Sequence, residues 1–173
     1  EATTYADSVV TYLGFAVSRL TNSQNSGCRW ENTRGQVINL FARQAIPMVW
    51  DFAESGLFSG AAGDFATSLN SILKGVAGLP WIGEGEAIQL DARDITTPAV
   101  IATDPPYYDN ISYADLSDFF YVWLRRSLKG IYPDLFTTMA TPKSAELIAT
   151  PYRHAGSKAA AEQYFEDGFV EVF

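Results

Sequence analysis

Cysteine and histidine are nearly absent from this chain: Cys28 and His154 are the sole examples of each among 173 residues. One thiol cannot close an internal disulfide, and one thiol with one imidazole cannot supply the ligands of a structural zinc site. The residue set therefore points to no metal. Long hydrophobic runs are missing as well. No apolar stretch approaches the ~18 residues that a membrane-spanning helix needs, and the first residues are not a basic-then-apolar signal peptide. These absences predict a soluble, cytoplasmic protein with no membrane partner. Positive charge is also scarce, with 12 Lys and Arg against 20 Asp and Glu, a net charge of −8. The deficit argues against a general nucleic-acid clamp, whose affinity comes from cations on phosphates, but leaves room for a small local pocket.

What the chain does have is apolar and aromatic mass. Hydrophobic residues make up 47%, charged residues 18% and aromatic rings 14%, which excludes disorder and supplies a packed core. The length suits one domain or a large part of one.

The first ~20 residues read as an amphipathic helix with Val9, Leu13, Ala16, Val17 and Leu20 on one face. A polar loop over residues 21–27 ends it, and a second helix is expected over about 33–45, before Pro47. Asp64 is placed to cap a helix carrying Phe65, Leu69, Ile72, Leu73 and Val76, punctuated by Gly75 and Gly78. The character changes at Gly85, so residues 1–84 form a helix-rich segment and 85–173 an α/β segment, together one incomplete domain. Two strands are expected there, at 87–90 ending in Asp91 and at 99–103 ending in Asp104. Each would place an acid at the sheet edge where open α/β folds hold ligands. Ser112 and Asp115 cap a helix with the stripe Leu116, Phe119, Phe120, Trp123 and Leu124. Arg125, Arg126 and Lys129 complement its C-terminal dipole and Gly130 stops it. A last helix starts near Ser157 and runs to Phe173 without a stop signal, which predicts a fragment of something larger.

The run Asp104-Pro105-Pro106-Tyr107 carries the most chemistry. Two consecutive prolines fix φ and remove two N–H donors, leaving a rigid turn with outward carbonyls. A carboxylate and a carbonyl held side by side are two acceptors, which suit the two N–H donors of an exocyclic amine. The neighbouring ring can stack on the base that bears it. Chance would produce such a tetrapeptide in roughly one chain of this length in a thousand.

Asp104 to Tyr107 resembles the catalytic motif of the amino-group DNA methyltransferases, which use S-adenosylmethionine to methylate adenine N6 or cytosine N4. Residues 108–126 are similar to one subgroup, the large adenine-specific methylases with a zinc ribbon and a domain of unknown function. The likeness in style reaches back to 47–54 and forward to 150–154. It implies a partial Rossmann-like methyltransferase sheet with a helix-rich N-terminal insertion. It further implies that Asp104 and the Pro105 carbonyl accept the target amine, with Pro106 completing the turn and Tyr107 stacking on the flipped base. Asp91 and Ala92 match the position that the family places against the cofactor adenine. Tyr108, Asn110 and Tyr113, in the loop after the motif, are candidates for the substrate pocket wall, with plain loop packing as the alternative. Partners would be DNA and the proteins of a modification or defence system.

One departure stands out. The family's cofactor loop, Phe-x-Gly-x-Gly after a strand, is not found. Phe58-Ser59-Gly60-Ala61-Ala62-Gly63 has a spacing one residue too long and no apolar strand leading into it. It reads as an ordinary small-residue loop. The resemblance places the true glycine loop upstream, so this piece alone is expected to bind the cofactor weakly or not at all. Two alternatives to DNA methylation remain: methylation of RNA or of a protein amide, and a silent module used for recognition or assembly.

Overall fold

The computed structural model describes residues 1–173 apart from Trp81, Glu84, Thr97, Ala99 and Phe173. The chain divides into two compact units, one of residues 1–80 with 114–141 and one of 81–113 with 142–173. The change of character at residue 85 thus lies close to the first boundary, while the chain from 114 to 141 groups with the N-terminal part.

Unit 1 is mostly helical. Helix α1 spans Ala2–Thr21 and α2 spans Phe65–Ala77, and the two pack together. Helix α3, Tyr113–Leu128, contributes all but its first residue to this unit. The buried side of α1 carries Gly14, Ala16, Leu20 and Thr21, whereas Val9 and Leu13 of the expected apolar face are exposed. Gly14 explains the rotation. A Cβ there would lie 3.0 Å from Leu128, so the bare glycine lets the α3 leucine lie directly on the α1 backbone. Leu128 is thereby buried, which stabilises the unit by about 2 kcal/mol. Beside this contact the Thr11 hydroxyl meets the Tyr132 hydroxyl at 3.1 Å. Phe41 packs edge-on against Phe119, and Tyr121 hydrogen-bonds the Thr138 carbonyl at 3.0 Å. Phe119 and Phe120 of the stripe read on α3 therefore serve packing, whereas Trp123 is exposed.

The helix expected over 33–45 is replaced by an antiparallel hairpin of β1, Arg29–Glu31, and β2, Gln36–Ile38. Glu31 pairs with Gln36, leaving a four-residue loop whose last member, Gly35, sits at φ +60°. The Gly35 N–H closes the turn onto the Glu31 carbonyl at 2.9 Å. A left-handed glycine ends a hairpin loop at little cost but interrupts a helix, and the β-branched Val37 and Ile38 follow after Gln36.

Asp64 caps α2 as its position suggests. Its carboxylate accepts the Thr67 N–H at 2.7 Å and the Gly60 N–H at 2.8 Å, and the side chain is buried in the turn that it organises. Residues 58–63 wrap this cap, with Gly60 and Gly63 both at positive φ. The stretch acts as the loop that starts α2.

Unit 2 holds helix α4, Lys158–Val172, with the Ser157 hydroxyl accepting the Ala160 N–H at 3.2 Å near its start. Among the described residues the expected Rossmann-like parallel sheet is absent: the only sheet is the hairpin of unit 1, and 87–90 and 100–103 are neither helical nor paired. Ala99, the first residue of the second expected strand, lies outside the described residues. The spacing explains the failure. Parallel strands need a crossover of about a dozen residues or more. Only eight residues separate the two segments here, and part of them forms the 3-10 turn Ala92–Asp94. Pro98, Pro105 and Pro106 remove further ladder donors. Among the described residues no helix is long and apolar enough to cross a membrane.

The Asp64 cap has a measurable consequence. Hydrogen bonds from Thr67, and then from Gly60, hold its carboxyl below the ordinary 3.8. A carboxyl lowered on folding stabilises the fold above its unfolded value, and that gain is lost as pH falls through the lowered one. Asp64→Ala is therefore expected to lower the melting temperature at pH 7 by several degrees, with Asp64→Asn retaining most of it. The gap between wild type and Asp64→Asn should close as pH falls through the lowered titration of this carboxyl. Thermal unfolding by circular dichroism across pH measures both.

Candidate functional site

Unit 2 contains a cleft of about 890 Å³. Residues 89–93, which lead into and begin the 3-10 turn, line it, as do Thr103, Asp104, Pro105 and Pro106, the chain near Pro142 and Leu147, and the last turns of α4. The two segments singled out in the sequence, Asp91-Ala92 and Asp104-Pro105-Pro106, thus border one cavity without a sheet to align them. Tyr107, Tyr108, Asn110 and Tyr113 are not part of its wall.

Asp91 is already engaged. One carboxylate oxygen accepts the Arg93 N–H at 3.0 Å, capping the 3-10 turn Ala92–Asp94, and also the Arg93 Nε at 3.1 Å. The other accepts an Arg93 terminal nitrogen at 2.8 Å. A carboxylate has about four acceptor positions, so Asp91 keeps room for about one further donor. The second terminal nitrogen of Arg93 reaches Glu171 of α4 at 3.2 Å, a contact spanning 78 residues of sequence. These bonds hold the Asp91 carboxyl down at about 2, the Arg93 side chain being the first cause and its N–H the second.

Asp104 is exposed on the cleft wall and Pro106 is half-buried behind it. The turn continues with the Asn110 N–H on the Tyr107 carbonyl at 3.1 Å. Inside that turn Tyr108 has φ 56°, a left-handed conformation that a bulky side chain adopts only under restraint. Three contacts supply the restraint. The Tyr108 ring stands edge-on to Phe165 of α4 at 5.0 Å, its hydroxyl is hydrogen-bonded to Glu162, and its carbonyl accepts the Ala149 N–H at 3.1 Å. Tyr108 is thus an anchor onto α4. Tyr107 and Tyr113 form an exposed, tilted pair with centroids 6.5 Å apart. Desolvation, then the nearby Tyr107 and Asp104, push the Tyr113 phenol above its ordinary value.

Helix α4 brings residues that sequence reasoning did not select: Asp167, Phe169 and Glu171, with Arg93 opposite. Gly168 also lines the cleft, and a Cβ at that position would collide with Leu147. The Asp-x-Arg spacing at 91–93 is a local signal for the self-capped pair. Nothing local marks Glu171, whose partner lies far away in sequence. Asp91, Asp104, Asp167 and Glu171 against Arg93 give the cleft a formal charge of −3. Such a wall favours a cationic ligand and opposes a phosphate. Among the described residues no group of His, Cys, Asp and Glu is arranged to hold a metal ion. No family model, curated protein or solved structure matches this chain.

The Arg93 pairing is directly testable. Arg93→Gln should return the Asp91 titration from about 2 towards 3.8, as followed by carboxyl carbon NMR. An unmoved titration would show that the N-cap, and not the guanidinium, holds the proton off.

Proposed function

We propose that the cleft of unit 2 takes an adenosyl sulfonium cofactor, and that Asp104-Pro105-Pro106-Tyr107 presents an exocyclic amine of DNA to it, adenine N6 by preference. One observation carries the reading. Two segments chosen for their chemistry, twelve positions apart between Ala92 and Asp104, line the same cavity. The reading does not rest on a Rossmann-like sheet.

The cleft suits the cofactor on three counts. Its volume lies within the range of about 300–1,000 Å³ usual for ligand pockets. Its net negative wall favours a sulfonium, and Ala92 leaves space beside the Asp91 carboxylate. Asp91, Ala92 and Arg93 would hold the adenosyl part, Asp91 through the one acceptor position that Arg93 leaves open. When bound, the cofactor supplies an electrophilic methyl group. Asp104 and the carbonyls of its proline turn accept the two N–H donors of the amine and aim its lone pair. As the nitrogen becomes cationic, the carboxylate bond strengthens, so Asp104 acts on the transition state without serving as a strong base. The methylated nitrogen then gives up one proton to solvent past this exposed carboxylate. The exposed Tyr107 ring, steadied by Tyr113, offers a stacking face for an extruded base.

Asp104→Ala should abolish methyl transfer and leave cofactor binding largely intact. Loss of one such charge-assisted bond costs roughly 3 kcal/mol, about a hundredfold in rate. Tyr107→Ala should weaken base capture by about 1–3 kcal/mol, the usual worth of one base stacked on a ring. Tritium transfer from labelled cofactor to adenine-containing DNA, with the protein carrying its full natural chain, measures both. Near-normal transfer by the Asp104 variant would reduce the proline turn to a structural element.

A further inference from the structure

The charge of the protein is unevenly shared. Unit 2 carries eleven carboxylates against four cations, while unit 1 carries nine against eight. If DNA is the substrate, as proposed above, unit 2 repels it and the grip on phosphate must come from unit 1. Within unit 1 the cations are concentrated. Residues 27–49 hold Arg29, Arg34 and Arg43 against one carboxylate, Glu31, which leans on Arg34 at 3.8 Å. Among the described residues no carboxylate pairs with Arg29 or Arg43.

Arg29 and Arg43 line a single groove of about 590 Å³. Its floor is fixed. Leu40 is buried and ties its N–H to the Asn22 carbonyl at 2.9 Å, and Cys28 is fully buried beside it. Gly27 leaves room for the end of the Leu40 side chain, which a Cβ there would force to shift. One guanidinium comes from strand β1 and the other from the loop after β2, so the hairpin fixes only the first. Trp50 is fully exposed just beyond Met48 and Val49 of the groove wall, whereas Trp30 alternates with Arg29 on β1 and lies on the strand's other face. Two cations without carboxylate partners along one groove suit the phosphates of a nucleic acid. The other basic group of unit 1, at the end of α3, is less suited. Arg125 donates to the Phe136 carbonyl at 3.3 Å, and the group faces the negative end of a helix dipole.

We infer that the Arg29–Arg43 groove of unit 1 seats the phosphate backbone of DNA, an inference that rests on DNA being the substrate proposed above. The test is anisotropy titration of a short labelled DNA duplex over a range of salt, using the full chain. The double variant Arg29→Gln, Arg43→Gln should bind about tenfold more weakly at low salt. The slope of log affinity against log salt should shrink by about 2, nearly one for each phosphate that an arginine no longer neutralises. A second double variant, Arg126→Gln with Lys129→Gln, removes equal charge elsewhere and should bind nearly as the parent does. The groove is overturned if the parent does not bind, if the first variant keeps its affinity and slope, or if the second falls equally. Failure of the proposed reaction is read separately. A parent that binds through Arg29 and Arg43 but transfers no methyl group leaves the groove standing and removes the chemistry. Methyl transfer with unaltered binding by the groove variant removes the groove alone.

Discussion

Chain that neither coils into a helix nor pairs into a sheet must leave its peptide groups to water, and most of the described residues between 82 and 112 live under that constraint. Such a segment cannot be sealed into a core, so it runs along a surface and is positioned by side chains. In unit 2 the surface is α4. Arg93 reaches Glu171, the Tyr108 ring meets Phe165, and Leu147 lies over the bare backbone at Gly168. The cleft is the space left between that extended chain and the helix. Its walls are only as well placed as these few ties, each of which ends on α4.

Unit 1 solves its packing differently, with small residues and one polar knot. Gly14 admits Leu128, Gly27 admits Leu40, and the Asp64 carboxylate gathers the turn that starts α2. None of these contacts is large. Each removes an obstacle, a Cβ or an unpaired N–H, so that an ordinary apolar contact can form behind it.

Four helices are legible in the sequence because their signals are local. Asp64 stands one residue before α2, Ser157 one before α4 and Gly130 just beyond α3, and each cap or stop acts within a single turn. The buried face of α1 is not legible, since the decisive contact is made by a glycine that no hydrophobic pattern registers. The hairpin at 29–38 escapes a helical reading because its signal is one left-handed glycine with two β-branched residues after it. The expectation of a parallel sheet rests on two short apolar runs, each ending in an acid. Apolar runs show that a strand is possible, whereas pairing requires a partner at the right distance along the chain, and eight residues are too few. The candidate site is partly legible. Asp91 and the proline turn share a cleft, yet Arg93 and Glu171, which set its electrostatics, become visible only when α4 is placed.

The unequal charge of the two units means that dissolved ions do not act on them alike. Unit 1 is balanced to within one charge, so screening changes its internal energy little. Unit 2 carries a surplus of seven negative charges on 65 residues, and its compaction works against their mutual repulsion. At physiological ionic strength the screening length is about 8 Å, shorter than the span of such a unit, and most of that repulsion is quenched. In dilute buffer it returns, pressing outward on the segment that α4 holds by a few side chains. For this half of the molecule, dissolved salt acts as a structural component.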